Sequence, residues 1–153
     1  ELQQKPVDLS RIIVDAVSDA HAAGPDHTWD MELPEEPLEV IGDQPRLHQV
    51  VVNLLANARV HTPAGSTVQV VLEKQDDNVL LRVIDNGPGI PQEQMPELFE
   101  RFTRGDASRT RATGSTGLGL AIVNAVVQAH HGSVTVTSDP GKTMFTVSLP
   151  AAH

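Results

Sequence analysis

The sequence predicts an α/β domain. Two observations carry that class: apolar residues recur at helical spacing around residues 9–23, 43–61, 92–102 and 114–131, and short extended runs bounded by turn residues lie between them. At 153 residues the chain fits a single domain, 1–153, long enough to bury a core. Because 39% of the residues are apolar and only 3% aromatic, that core must be built from Val, Leu, Ile and Ala.

In chain order, Asp8 or Ser10 can cap a first helix over 9–23, with Leu9, Ile12, Ile13, Ala16, Val17 and Ala20 on one stripe and Gly24-Pro25 as its stop. Extended segments at 28–33 and 38–41 follow, separated by a turn at 34–37; a β-hairpin or two neighbouring strands fit equally well. Residues 43–61 return to helix, with Leu47, Val50, Val51, Leu54, Leu55 and Ala58 on the apolar face. Beside that face Gln49, Asn53, Asn57 and His61 recur every four residues and so stack along one edge. Asn competes for backbone hydrogen bonds inside a helix, a cost that a ligand or metal would explain; core-edge amides bonded to nearby backbone are the ordinary explanation.

Segments 67–74 and 79–84 read as an antiparallel pair around Gln75-Asp76-Asp77-Asn78, which places Asp85 at the end of a central strand. The next residues, Asp85-Asn86-Gly87-Pro88-Gly89-Ile90, are turn chemistry first, but a carboxylate at a strand end can be buried enough to read a ligand. Glycine without a Cβ lets backbone approach a flat object. A short helix over 92–102 precedes a stretch at 103–116 with no apolar period, which reads as a functional loop or lid. The last helix opens at Gly114-Ser115-Thr116-Gly117-Leu118-Gly119 and ends at His130-His131-Gly132; glycine-rich helix starts hold anions, or simply allow close packing. Strands at 133–138 and 143–149 close the chain around Asp139-Pro140-Gly141-Lys142.

Several function classes are excluded. A formal charge of −9 argues against a general nucleic-acid binder, although Arg101, Arg104, Arg109 and Arg111 form a local basic cluster that suits a small anion, or a solvated loop. Without cysteine there are no disulfides or thiolate metal sites. No apolar run approaches bilayer length and no signal-peptide pattern opens the chain, so a soluble protein without direct membrane contact is expected. Glu1 in place of Met suggests a piece of something longer. The glycine-rich segment 114–123 carries neither GK[ST] nor a third glycine at dinucleotide spacing, and no nucleophilic triad or carboxylate pair stands out. His130 and His131 read as a helix end, since adjacent residues do not face one ligand; His21, His27 and His153 have no partner visible in the sequence.

Four segments in fixed order then resemble the four boxes of sensor histidine kinase ATP-binding domains. His48-Gln49-Val50-Val51-Val52-Asn53-Leu54-Leu55-Ala56-Asn57-Ala58-Arg59-Val60-His61-Thr62 resembles the asparagine box, and Asp85 to Ile90 the first glycine box. Leu98-Phe99-Glu100-Arg101-Phe102 resembles the phenylalanine box, and Gly114 to Val123 the second glycine box. The resemblance covers nearly the whole chain and extends to the superfamily that includes gyrase, mismatch-repair and heat-shock ATPases.

It implies a two-layer sandwich, about three main helices on one face of a mixed, roughly five-stranded sheet, with a flexible ATP lid at about 103–116. It further implies ATP and Mg²⁺ as cofactors. Asp85 would accept from the adenine amine, suiting a group that can only accept. Gly87, Gly89 and Ile90 would lie close to the base, and His61 takes the place of an aromatic or His near it. Asn57, with Asn53 beside it, would offer an amide oxygen to Mg²⁺. The backbone at Thr116, Gly117, Leu118 and Gly119 would hold the phosphates. Arg104 matches a lid arginine acting on the terminal phosphate, and with Asn57 forms the implied catalytic pair.

The chain departs from the family pattern in two places. Val60 stands where the family often has a phosphate-contacting Lys; Arg59, rotated about 100° around the helix, substitutes only if its side chain swings back. The turn at 139–143 is one glycine short, which leaves a role for Thr143 near the lid in doubt.

Superfamily ATPases that hydrolyse ATP use a Glu one helical turn before the metal-binding Asn, where this chain has Asn53, no base at neutral pH. The resemblance therefore implies a transferase: the catalytic module of a two-component histidine kinase, phosphorylating a His on a separate dimerisation domain of its parent, with a response regulator downstream. The fragment itself would be monomeric and cytoplasmic, the intracellular part of a membrane sensor. The alternatives are an anti-sigma-factor-like serine kinase and a degenerate nucleotide-binding module, which Val60 keeps open.

Overall fold

The computed structural model of the chain describes residues 2–95 and 115–152; for residues 115–119 it describes the backbone alone. Strand β1 (Lys5–Asp8) runs directly into helix α1 (Leu9–Ala23). The Asp8 carboxylate caps α1 by accepting the Arg11 N–H at 3.3 Å, and Gly24 closes it with an N–H to the Ala20 carbonyl. Strands β2 (Thr28–Glu32) and β3 (Glu39–Gly42) lead to helix α2 (Gln44–Val60), capped by Asp43, with Pro45 in the first turn where an N–H has no helical partner. Strands β4 (Thr67–Gln75) and β5 (Asn78–Asp85), a 3₁₀ turn (Gln92–Gln94), helix α3 (Ser115–Ala129) and strands β6 (Ser133–Asp139) and β7 (Lys142–Pro150) complete the described chain.

The main sheet has the order β2-β4-β5-β7-β6 and is mixed, because β2 pairs parallel with β4 while every other pairing is antiparallel. Alternation places Val68, Val70 and Leu72 of β4, Val79, Leu81 and Val83 of β5, and Phe145, Val147 and Leu149 of β7 in one buried layer. The register sets Val70 opposite Val83, and Val83 opposite Phe145. The apolar stripes of α1, α2 and α3 cover this layer, giving the expected two-layer architecture.

Segment 28–41 departs from expectation. Its two strands neither form a hairpin nor lie side by side: β2 joins the main sheet, whereas β3 turns back on β1 to make a separate two-stranded sheet. Distant partners decide this, since β4 takes β2 and β1 takes β3, and the six residues between the two strands, with Pro34 and Pro37 among them, do not pair them. Strand β1 carries no sequence signal, being four residues long with Pro6 second and only Val7 buried. Of the helix expected over 92–102, the described part is the 3₁₀ turn and Met95 after it; residues 96–102, and positions 103–114 of the expected lid, lie outside the described residues.

Helix α3 ends as its sequence suggests. His131 adopts φ 65°, donating to the Gln128 carbonyl at 3.0 Å, and the Gly132 N–H reaches the Val127 carbonyl at 2.9 Å. His130 is buried; its Nδ1–H donates to the Val126 carbonyl at 2.8 Å and its Nε2 accepts the Asp43 N–H at 3.0 Å. Since a backbone N–H can only donate, the ring proton sits on Nδ1. This contact joins the end of α3 to the start of α2, so the two helices run antiparallel. At about 1.5 Å per residue their lengths are similar, which brings the first turn of α3 level with the last turn of α2.

Candidate nucleotide site

Asp85 is the last residue of β5, the central strand, and shares the strand parity of Val79, Leu81 and Val83. Its side chain therefore belongs to the helix-facing layer, and only 7% of the residue is exposed. Oδ1 accepts the Gly87 N–H at 3.0 Å, closing a tight turn. Burial pushes the Asp85 carboxyl above its ordinary 3.8, opposed by the Gly87 N–H and by the charge of His61. His61 is the exposed C-cap of α2, so the end of α2 stands beside the acid.

The loop after Asp85 is tied on several sides. The Asn86 side chain accepts the Thr67 N–H at 2.8 Å, the Gly141 N–H donates to the Gly87 carbonyl at 3.0 Å, and the Ile90 N–H donates to Ser138 Oγ at 2.7 Å. The two glycines answer to the chain itself. A Cβ on Gly87 would sit 2.5 Å from the Thr62 methyl, and one on Gly89, at φ 89°, would sit 2.7 Å from the Asp139 carbonyl oxygen. Sequence reasoning read these glycines as turn residues and as room for a ligand; intramolecular packing adds its own requirement for them.

Along α2 the polar stripe runs from half-buried Gln49 and Asn53 to buried Asn57 and exposed His61. Asn57 Oδ1 is buried without a hydrogen-bond partner. A buried orphan oxygen is costly, and a hard cation that takes oxygen ligands would satisfy it. The donor set thus fits Mg²⁺ held by one amide oxygen, phosphates and water. No group of three His, Cys, Asp or Glu gathers among the described residues, so a caged metal has no support there.

The backbone of Thr116, Gly117, Leu118 and Gly119 lies at the start of α3, where the leading N–H groups, those of Thr116 and Gly117 among them, have no helical acceptor and carry the positive end of the helix dipole. Antiparallel pairing sets this turn level with Asn57. Arg59 is not brought to the cleft by the same helix: it lies about 200° around α2 from Asn57, and its stem packs against Gly24 beside Trp29. Val60 is 54% exposed. Arg104 lies outside the described residues.

Sequence reasoning missed a polar chain behind the site. Thr62 donates its hydroxyl proton to the Ala58 carbonyl at 2.7 Å, so its oxygen receives the Nε2–H of His27, also at 2.7 Å. His27 in turn tilts against Trp29 with ring centroids 5.8 Å apart. Ser138 and Thr143, hydroxyls 2.7 Å apart, lie on the far side of the acid. Thr62 stood unassigned within the asparagine-box segment; Ser138 gave no signal beyond preceding a turn.

Chemically, a desolvated acceptor, an orphaned amide oxygen and a helix start gathered at one end of a helix pair suit a purine carrying a metal-bound phosphate tail. Comparison with known proteins gives the family. Residues 42–153 match the family model described as histidine kinase-, DNA gyrase B-, and HSP90-like ATPase. The Mycobacterium tuberculosis protein named "Probable sensor histidine kinase TcrY" is 62% identical over 149 residues, which cover 97% of this chain and 31% of that protein. The chain thus spans about a third of the length of such relatives. The solved structure of mycobacterial sensor histidine kinase MprB superposes with a TM-score of 0.80 at 32% identity, covering 97% of each chain. The ATP-binding domain of PrrB from M. tuberculosis does so at 0.78 and 28%, covering 99% of each. The chain belongs to the histidine kinase-, DNA gyrase B- and HSP90-like ATPase family, as a catalytic ATP-binding domain of the sensor histidine kinase type.

Proposed function

We propose that the domain binds Mg-ATP between the last turn of α2 and the start of α3 and donates the γ-phosphoryl group to a His on a separate dimerisation domain of its parent protein, from which a response regulator draws it. The observation that carries this reading is the Asp85 carboxylate, buried at the end of the central strand beside the end of α2. It accepts from the adenine amine, next to Gly87, Gly89, Ile90 and His61. Asn57, with Asn53 one turn earlier, would present an amide oxygen to Mg²⁺, which would offset the charge of the phosphates. The backbone of residues 116–119 cradles the phosphates, and Arg104 stabilises the transferring group. The acceptor nitrogen forms a bond to phosphorus as the bond to the ADP oxygen breaks. Asn53 offers no base to a competing water, which favours transfer over hydrolysis. A likeness to full-length ShkA solved with AMPPNP, 27% identical with a TM-score of 0.78, supports a nucleotide in this cleft. The domain works in the cytoplasm as a monomer; among the described residues no helix is long and apolar enough to cross a membrane.

The test mixes the domain, γ-labelled ATP and a His-bearing dimerisation domain. Acid-labile label on that domain is the expected outcome; acid-stable label on Ser, or no transfer, overturns the reading.

A further inference from the structure

Three side chains stand in a row across the ends of three neighbouring strands. The register sets Thr143 of β7 opposite Asp85 of β5, and Ser138 of β6 opposite Thr143. All three are buried on the helix-facing side, with 7%, 4% and 7% exposed for Asp85, Thr143 and Ser138. The backbone leaving Asp85 crosses the end of this row and is fastened at its far side, where the Ile90 N–H donates to Ser138 Oγ at 2.7 Å. The Gln92 side chain adds a bond to the Ser138 carbonyl at 3.3 Å, while Thr143 Oγ1 holds the other side of the Ser138 hydroxyl.

From this geometry we infer that Ser138 is a positioning residue for nucleotide selection: its hydroxyl fixes how far the 86–90 backbone stands from the Asp85 carboxylate, and hence the slot that admits adenine over guanine. The inference rests on the Mg-ATP reading above. A carboxylate discriminates between an amino group and a carbonyl only while both stay within hydrogen-bond range, so a loop free to drift loses selectivity before it loses binding. The fold does not depend on this bond alone. Gly87 remains tied to Gly141, and Asn86 to Thr67, when the Ser138 hydroxyl is removed.

The test measures ATP and GTP dissociation constants and the hydrogen exchange of the Ile90 amide in the whole 153-residue chain. Ser138→Ala is expected to weaken ATP binding about three- to tenfold, the worth of one net hydrogen bond, and to lower the ATP-over-GTP ratio while the Ile90 amide exchanges faster. Ser138→Thr, which keeps the hydroxyl, restores both. Val136→Ala, a core cavity on the same strand, separates stability from selection: it lowers Tm and leaves the ratio intact. Wild-type ATP selectivity in Ser138→Ala despite faster Ile90 exchange overturns the inference, as does an equal loss of ratio in Val136→Ala. Unchanged ATP binding in Asp85→Asn overturns the nucleotide-site reading itself, and this inference with it.

Discussion

The two ends of the α2–α3 helix pair share one core and treat polar groups in opposite ways. At the end built on Asp43 and His130, both imidazole nitrogens are engaged, and the Asp43 carboxylate accepts amide protons from Gln3 and Arg46. The Gln3 N–H, first among its causes, holds the Asp43 carboxyl below its ordinary 3.8. At the other end Asn57 Oδ1 is buried and unpartnered, and burial drives the Asp85 carboxyl upward. Native proteins pair their buried polar groups, and although Ser10 Oγ and His27 Nδ1 are also unpartnered among the described residues, only this pole joins an orphaned oxygen to a carboxyl that burial drives upward, the demand a ligand would meet.

Substitutions break or sharpen that contrast. The largest effect on binding belongs to Asp85→Asn, expected to weaken ATP about 10- to 100-fold, the worth of a hydrogen bond to a charged group, in a fluorescent-ATP titration. The same change is expected to raise the melting temperature of the nucleotide-free domain at neutral pH, because an ionised carboxyl no longer has to be buried. At the opposite pole His130→Leu should cost about 2–4 kcal/mol in denaturant unfolding by orphaning the Asp43 N–H. ATP affinity of the folded fraction should stay within about threefold, well short of the Asp85→Asn loss; a loss as large as that one would erase the distinction between the poles.

Acid separates the two carboxylates. The stability due to Asp43 is present above 3.8 and is lost as pH falls through its depressed value. Asp85 has the reverse sign: its protonated form suits the fold, so the favourable contribution present below 3.8 disappears as pH rises through the raised value. The stability advantage of Asp85→Asn over wild type should therefore widen as pH rises from 3.8, measured by unfolding at a series of pH values. In the Mg-ATP reading the ionised carboxylate is the stronger acceptor for the adenine amine, so wild-type ATP affinity should fall on acidification before an ordinary carboxylate would titrate. The smallest effect is expected from Arg59→Ala: about 1 kcal/mol of stability from lost stem packing, with ATP affinity within about twofold.

Most elements were legible because their periodicity was long. Seventeen residues of α2 and the eight or nine of β4, β5 and β7 repeat their pattern often enough to override chance. The partners of β2 and β3 were not, since pairing is decided by distant segments, and β1 offers one buried side chain. At the site, Asp85 and Asn57 announced themselves as polar residues in costly positions. Thr62, His27 and Ser138 did not, because hydroxyls are ordinary in strands and turns and only the tertiary register brings these to the acid. The glycines were noticed as turn residues and as room for a ligand; that a methyl and a carbonyl of the same chain crowd them only the tertiary packing reveals.

Antiparallel packing of α2 and α3 also orients their backbone fields. The carboxyl-terminal, negative pole of α2 lies where Asn57 would meet a divalent cation, and the amino-terminal, positive pole of α3 lies where phosphates would rest. Each pole is equivalent to roughly half an elementary charge, needs no ionisable side chain and is indifferent to pH. A chain with a formal charge of −9 can thus receive a polyanion by the polarity of its own peptide groups.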